Sequence, residues 1–179
     1  MAKNVLVIST SLRKGGNSDV LADEFLKGAT DAGHQVEKIS LINKQISFCR
    51  GCLACQKTQK CVIKDDANAI VEKMKNADVL VFATPVYYYE MSGQMKTLLD
   101  RANPLFPSDY KFRSIYLLGA AAENNNRALE GAIHGLGGWI ECFPKAELKG
   151  VVYGVGATDV GDIKGMPAVA QAYQMGYEI

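Results

Sequence analysis

The sequence predicts an α/β fold built on a five-stranded parallel sheet with helices on both faces. Short, nearly continuous apolar runs have the composition of strands that are buried on both sides, and they span residues 3–9, 78–84 and 112–119. The segments between these runs carry apolar residues at helical spacing. Strands that alternate with helices in this way are typical of right-handed βαβ units, which place the strands of one sheet parallel.

Each element in the first half of the chain has a local signal. The apolar run 5–8 defines the first strand. Apolar residues at steps of four and three predict a helix over 17–32, and Gly33 follows it as a C-cap. Spaced apolar residues predict a second strand over 35–42. An acidic pair at 65–66 opens the next helix, because carboxylates are favourable in a first helical turn.

Proline and glycine mark the elements of the second half. Pro85 holds Thr84 extended, so no helix can follow the strand 78–84 at once. A helix is predicted over 92–103, and Pro104 ends it. The remaining predicted elements are a strand over 112–119, a helix from about 125 that Gly135, Gly137 and Gly138 weaken, a strand over 146–155 and a short helix from Pro167.

Length and composition restrict the possible functions. At 179 residues the chain is expected to be one domain, 1–179, with a Cys-rich loop at about 43–64. With 22% charged residues and a net charge of +1, the composition gives no support for binding to nucleic acid. No apolar run reaches the roughly 18 residues of a membrane span, and Met1 leads directly into a strand without a signal peptide. We therefore expect no membrane association, a cytoplasmic location, and cysteines that are thiols or ligands.

The stretch from Ser9 to Ser18, S-T-S-L-R-K-G-G-N-S, joins the first strand to the first helix. A buried strand that leads through a small-residue loop into a helix leaves unpaired backbone N–H groups where the helix dipole is positive. Side chains in the stretch add hydroxyl, guanidinium and amide donors: Ser9, Ser11, Arg13, Asn17 and Ser18. We interpret the stretch as a phosphate-binding loop. The alternative is an ordinary polar βα turn.

Two further unusual loops favour the phosphate interpretation. Ligands of open parallel sheets bind at the carboxyl ends of the strands, at the topological switch point, which lies between strands one and three for the order 2-1-3-4-5. The loops at this point are 9–18 and 84–91, with 120–124 beside them. Tyr87 to Tyr89 offer a flat surface for a ring system, or else they pack in a subunit interface.

Familiar phosphate motifs do not fit the loop. It lacks the Gly-Lys-Ser/Thr of a Walker A motif, and the chain has no complete G-x-G-x-x-G. The loop 9–18 also has no cysteine that could act as a phosphatase nucleophile. The remaining candidate for the loop is a monophosphate group, carried by a ligand that also makes aromatic and backbone contacts.

The stretches S-T-S-L-R-K-G-G-N-S and T-P-V-Y-Y-Y-E-M-S-G-Q-M-K-T-L-L-D-R resemble the flavodoxin-like NAD(P)H-dependent FMN reductase family, and the similarity covers nearly the whole chain. The resemblance implies a flavodoxin-like fold that binds FMN. It assigns the FMN phosphate to Ser9, Ser11, Arg13, Asn17 and Ser18. It assigns the isoalloxazine to Pro85, Val86, Tyr87 and Tyr88, and the pyrimidine side to Ala120, Ala121 and Ala122. It further implies a homodimer or homotetramer with FMN near a subunit interface.

The same resemblance implies an FMN-dependent oxidoreductase. The flavin would accept a hydride from NADH or NADPH and pass electrons to a quinone, a free flavin or another small acceptor. No acid–base pair is expected, because the cofactor carries the chemistry. Two alternatives stay open: an electron carrier fed by a protein donor such as ferredoxin, and a non-enzymatic flavin-binding regulator. The sequence has no nicotinamide fingerprint, so the donor and the acceptor are not specified.

Four of the five cysteines lie in the loop 43–64, which has neither helical nor strand periodicity. Cys49, Cys52, Cys55 and Cys61 have the spacing C-x2-C-x2-C-x5-C, whereas zinc sites usually pair two C-x2-C knuckles across a longer gap. The run C-R-G-C-L-A-C-Q-K-T-Q-K-C-V-I-K-D-D resembles the iron-sulfur flavoproteins, which share this fold, and implies a [4Fe–4S] cluster that relays electrons to or from FMN. Bacterial ferredoxin runs have a shorter last gap and a following proline, and this chain has neither. Free or redox-active thiols and zinc therefore stay open as alternatives.

Few other polar residues are expected to have a role. We expect Asp100 and Arg101 to face solvent or cap a helix, and His34 and His134 lie outside the candidate loops. Cys142 is remote from the other cysteines and is expected in the core.

Overall fold

The computed structural model describes residues 1–179 as alternating strands and helices. The elements are β1 (Asn4–Ser9), α1 (Asn17–Asp31), β2 (Gln35–Ser40), α2 (Ala54–Thr58), α3 (Asp66–Asn76), β3 (Val79–Tyr87), β4 (Glu90–Met91), α4 (Gly93–Arg101), β5 (Ser114–Ala121), α5 (Glu130–Ile140), β6 (Glu147–Val155) and α6 (Pro167–Tyr177). Short 3-10 turns at Asn103–Leu105 and Asn126–Leu129 precede β5 and α5. None of the helices combines the length and the apolar character needed to cross a membrane.

The five long strands are parallel and follow the order β2-β1-β3-β5-β6. This is the predicted order 2-1-3-4-5, so the predicted fold class is confirmed. The structure adds β4, a two-residue strand that pairs antiparallel with the end of β3. The addition arises because β3 continues to Tyr87 instead of ending at Thr84. Pro85 is tolerated there because β1 pairs with β3 only as far as Ala83, so the missing N–H breaks no bond to β1.

Helices cover both faces of the sheet, and alternate residues of each central strand point to opposite faces. Val79 and Val81 pack with α1 and α6 on one face. Leu80 and Phe82 pack with α3, α4 and α5 on the other face. The central strands are therefore buried on both sides, which is why they read as continuous apolar runs.

Helices α1 and α6 touch at their backbones. A Cβ atom added at Gly28 of α1 would lie 2.0 Å from the carbonyl oxygen of Tyr173 in α6, so the contact requires glycine. The close approach fixes the C-terminal helix against the helix that follows the predicted phosphate loop.

Three local predictions differ from the structure. The loop 43–64 contains the short helix α2, which begins after Leu53 and ends before Gln59, both with positive φ. Helix α5 continues through its glycines to Ile140, because its other face is buried in the core. Cys142 is exposed just beyond the end of α5, so the prediction that it lies in the core is wrong.

Candidate functional site

The predicted phosphate loop, residues 9–18, is folded around Ser11. The hydroxyl of Ser11 accepts a hydrogen bond from the N–H of Arg13 at 3.2 Å. Gly15 has a φ of 65°, and a Cβ atom added at Gly16 would lie 2.8 Å from the Ser11 hydroxyl. The two glycines therefore allow the chain to turn tightly before α1 begins.

The start of α1 has unused hydrogen-bond donors. Gly16 is the N-cap residue and no side chain caps the helix, so the first N–H groups have no acceptor within it. The side chain of Ser18 is buried, and its hydroxyl has no partner in the chain. A buried hydroxyl without a partner costs free energy, and here it lies at the positive end of a helix dipole. This arrangement suits an oxyanion.

Ser9 has a partner other than the predicted phosphate. Its hydroxyl donates to Oδ1 of Asp19 at 2.6 Å, and Nζ of Lys38 lies 2.7 Å from the same oxygen. Burial opposes the charge of Asp19, but the hydrogen bonds from Lys38 and Ser9 outweigh it and hold the pKa of this carboxyl below its usual value. Ser9 thus supports the loop through a carboxylate of the first helical turn.

Arg13 and Asn17 connect the phosphate loop to the segment that follows β6. Two guanidinium nitrogens of Arg13 donate to the carbonyl oxygen of Thr158 at 3.2 Å. The amide of Asn17 donates to the carbonyl oxygen of Asp159 at 2.9 Å and accepts from the N–H groups of Gly161 and Ile163 at 3.3 Å. Asn17 is buried, so its side chain mainly fixes the loop in place.

The second predicted loop is a tight β-hairpin. Val86 pairs with Met91 and Tyr87 with Glu90, which leaves Tyr88 and Tyr89 as a two-residue turn. Both turn residues have positive φ, 51° and 65°, the geometry of a type I′ turn. We name residues 87–89 the tyrosine turn. Tyr88 is fully exposed, and the other two tyrosines are half exposed.

The hairpin is held against its neighbours. A Cβ atom at Gly131 of α5 would lie 2.3 Å from the carbonyl oxygen of Tyr89, so the backbones are in direct contact. The hydroxyl of Tyr89 donates to the carboxylate of Glu123 in the third predicted loop. This hydrogen bond to an anion raises the pKa of Tyr89. The tyrosine turn and the loop after β5 therefore form one connected rim.

The residues predicted to contact a ring system line the same edge of the sheet. Pro85 at the end of β3 pairs with Ala120 at the end of β5. Pro85, Ala120 and Ala121 are buried, Val86 is half-buried, and Ala122 is exposed in the bend beyond β5. The phosphate loop, the tyrosine turn and the loop after β5 thus meet at the carboxyl ends of β1, β3 and β5. This is the switch point that the strand order predicts.

The four cysteines of the Cys segment, residues 49–61, do not form a ligand set in the described chain. No group of three or more histidine, cysteine, aspartate or glutamate side chains is placed to hold a metal ion. Cys49 and Cys52 are exposed, Cys61 is half-buried, and Cys55 is buried with its sulfur 3.1 Å from Nδ2 of Asn103. In this conformation the thiols do not fit a metal centre.

Arg101 was expected to face solvent or cap a helix, and this prediction is wrong. Its side chain is fully buried and forms a two-pronged ion pair with Asp65, at 2.6 and 2.9 Å. It also donates to the carbonyl oxygens of Ser47 and Ile63 at 2.8 and 3.2 Å. One arginine thus anchors the residues that flank the Cys segment on both sides to α4. No local pattern in the sequence indicates these contacts, because they join residues 36–54 positions apart.

Comparisons with known proteins find related sequences. A family model described as NADPH-dependent FMN reductase matches residues 3–144. An iron-sulfur flavoprotein of Methanosarcina thermophila is 32% identical over 136 residues, which are 74% of this chain and 70% of that protein. One of Methanocaldococcus jannaschii is 42% identical over 101 residues, 56% of this chain and 52% of that protein. The match with the latter therefore spans only about half of the relative.

The fold also matches solved structures. An NAD(P)H:quinone oxidoreductase from Methanothermobacter marburgensis superimposes with a TM-score of 0.78, covering 99% of this chain and 96% of that chain at 17% identity. This likeness concerns the fold alone. The family match includes the predicted phosphate loop, the tyrosine turn and the loop after β5. The chain therefore belongs to the NADPH-dependent FMN reductase family.

Proposed function

We propose that this chain is an FMN-dependent oxidoreductase that passes electrons from NADH or NADPH to a small acceptor such as a quinone or a flavin. The family supports a flavin-dependent oxidoreductase. The single observation that carries the proposal is the uncapped start of α1, where the buried hydroxyl of Ser18 has no partner. The monophosphate of FMN supplies the acceptor oxygens that these donors lack.

The residues of the phosphate loop fit this ligand in different ways. The first N–H groups of α1 and the hydroxyl of Ser18 are the donors that we propose for the phosphate. The hydroxyl of Ser11, which donates to the carbonyl oxygen of Arg13 at 3.3 Å, would turn to the phosphate as a further donor. Arg13 adds positive charge, since its guanidinium has further N–H groups beyond the two that reach Thr158. Ser9 and Asn17 hold the loop in shape through Asp19 and the segment after β6. Their contribution to FMN binding is therefore indirect.

We propose that the isoalloxazine lies along Pro85, Val86, Tyr87 and Tyr88, with its pyrimidine side toward Ala120, Ala121 and Ala122. Bound FMN would supply hydride acceptance and electron transfer. The chain would orient the ring and leave one of its faces open to the donor and the acceptor. The hydrogen bond between Tyr89 and Glu123 keeps the two loops at a fixed separation.

The first experiment measures flavin binding by wild type and Ser18→Ala. We expect wild type to bind one FMN per chain and to oxidise NADH or NADPH with an added quinone. Ser18→Ala is expected to bind FMN about tenfold more weakly, because a buried donor to the phosphate is lost. Its apo form is expected to be at least as stable as wild type, since the removed hydroxyl has no partner.

Ser108→Ala is the matched control. The hydroxyl of Ser108 donates to the carbonyl oxygen of Leu105 at 2.8 Å, away from the proposed site. This variant should lose a little stability and keep the FMN affinity of wild type. Unchanged FMN affinity in Ser18→Ala would contradict the assignment of the phosphate site. Tight FMN binding without turnover on any acceptor would favour an electron carrier or a regulator.

The cysteine spacing and the names of the relatives favour a second candidate. In it, the chain is an electron carrier with a [4Fe–4S] cluster on Cys49, Cys52, Cys55 and Cys61, fed by a protein such as ferredoxin. The Cys segment would have to rearrange, because its thiols do not form a ligand set as described. Iron and acid-labile sulfide in protein purified without oxygen provide the test. About four irons per chain would favour this candidate, and absence of iron would favour the first.

A further inference from the structure

The phosphate loop already contains an anion of its own. Asp19 is the third residue of α1, and its side chain is only 14% exposed. Its carboxylate accepts from the hydroxyl of Ser9 at 2.6 Å. A donor at the start of the loop is thus directed to an internal carboxylate. A carboxylate in the first turn also uses part of the favourable potential at the helix start.

Lys38 is placed to neutralise this carboxylate. It lies on β2, paired with Val7 of β1, and its Nζ is 2.7 Å from Oδ1 of Asp19 and 2.6 Å from Oδ1 of Asp23. The side chain of Lys38 is 20% exposed, so its charge is partly shielded from water. Burial opposes that charge, but the two carboxylates outweigh it and raise the pKa of Lys38.

An internal carboxylate next to a phosphate site has a clear electrostatic consequence. Repulsion between like charges grows as they are removed from water, and a flavin phosphate carries close to two negative charges at neutral pH. A phosphate bound at the start of α1 would therefore face a net negative neighbour if Asp19 were alone. With Lys38 in contact, the Asp19–Lys38 pair is neutral overall.

We propose that Lys38 determines whether the loop accepts a phosphorylated ligand, by neutralising Asp19 and holding it against Ser9. Lys38 is a positioning residue in this role, because it acts on the ligand through Asp19. The inference rests on the proposed function, and it adds the selection of FMN over riboflavin, the same ring system without the phosphate. Asp23 is the exposed member of the group, at 60% exposure, so solvent screens its charge more strongly.

The test compares the dissociation constants of FMN and riboflavin by quenching of flavin fluorescence. In Lys38→Met we expect FMN affinity to fall about tenfold and riboflavin affinity to change by less than about twofold. The double variant Asp19→Asn with Lys38→Met should restore FMN affinity to within about threefold of wild type, because the two residues are in contact and their effects are coupled. Lys73→Met is the control, because Lys73 pairs with Glu37 on the exposed side of β2. It should leave both constants unchanged.

The ratio of the two affinities decides the outcome. An unchanged ratio in folded Lys38→Met overturns the inference. If circular dichroism shows that this variant does not fold, the single variant Asp19→Asn tests the inference. Its preference for FMN over riboflavin should rise, because the competing anion is gone and an amide oxygen still accepts from Ser9. An unchanged or lower preference overturns the inference. If wild type binds neither FMN nor riboflavin, the proposed function is wrong. If FMN binds normally and the ratio of the FMN and riboflavin dissociation constants is the same in all variants, only the role of Lys38 is wrong.

Discussion

The buried guanidinium of Arg101 holds together the residues on both sides of the Cys segment. Its guanidinium contacts Asp65, the N-cap residue of α3, and the carbonyl groups of Ser47 and Ile63. A surface pair of this kind would contribute little, but here one partner is fully buried and the other is 9% exposed. Because the guanidinium also satisfies two carbonyl groups, its loss would remove a hydrogen-bond donor from the Asp65 carboxylate and from both carbonyl groups.

Replacing Arg101 by Met is expected to lower the free energy of unfolding by about 3–5 kcal/mol at pH 7, because the largely buried carboxylate of Asp65 loses its positively charged partner. Burial alone would raise the pKa of Asp65, but Arg101 and the amides of Ser47 and Ala67 outweigh it and lower the pKa. The stabilisation is therefore present above the unfolded value of about 4 and is lost as the pH falls through the folded value. The cost of Arg101→Met should shrink correspondingly at about pH 3. Urea unfolding at both pH values measures it.

Arg127→Met is the matched control for this prediction. Arg127 is 78% exposed and lies 3.9 Å from Glu130, so its removal should change stability by less than about 0.5 kcal/mol. An equal loss in the two variants, or a loss in Arg101→Met that does not depend on pH, would contradict the buried ion pair.

At the scale of single elements, the tyrosine turn departs furthest from what the sequence predicts. Two-residue type I′ turns strongly favour Asn-Gly, because both residues need positive φ. Tyr88 and Tyr89 meet this requirement without glycine, so the sequence had no hairpin signal. Contacts with Glu123 and α5 hold Tyr89 in this conformation. Tyr88 is fully exposed and has no comparable support within the chain.

Replacing Tyr88 by Gly is expected to stabilise the apo protein by about 1 kcal/mol, since glycine adopts positive φ without steric cost. The same change should weaken FMN binding, because Tyr88 is one of the residues proposed to line the isoalloxazine. Thermal unfolding and an FMN titration of the same sample measure the two effects.

Leu53→Gly is the control for the backbone effect. Leu53 also has positive φ, 56°, and is exposed before α2, outside the proposed flavin site. It should gain similar stability and keep its FMN affinity. If Tyr88→Gly also kept its FMN affinity, the tyrosine would have no contact with the flavin. A loss of stability would show that the turn is not strained.

For the whole molecule, the sequence predicts what local patterns determine. Apolar runs identify the central strands, and alternation with helices leads to a parallel sheet whose switch point brings three loops together. The position of the Cys segment was not predictable, because it depends on Arg101, which reaches distant carbonyl groups. The role of Asn17 was only partly predictable. Its place in the phosphate loop follows from the sequence, whereas its bonds to residues 159–163 join the two ends of the chain.

The bonds of Asn17 couple the stability of the whole molecule to flavin binding. Asn17→Ala should lower the free energy of unfolding of the apo protein by about 1–3 kcal/mol, because three backbone groups of the 159–163 segment, one of them in the buried Ile163, lose their partner. FMN at a hundredfold excess over its dissociation constant should stabilise wild type by about 2.7 kcal/mol. At the same FMN concentration Asn17→Ala should gain less stability from FMN, because the phosphate loop loses its hydrogen bonds to the segment after β6. Urea unfolding with and without FMN measures both quantities.

Asn76→Ala is the control for this prediction. Asn76 lies on an exposed part of α3, so its replacement should change neither the apo stability nor the stabilisation by FMN. A variant of Asn17 that kept the apo stability of wild type would show that the segment after β6 does not depend on this side chain, and the loop would then have to be fixed from the side of Asp19 and Lys38.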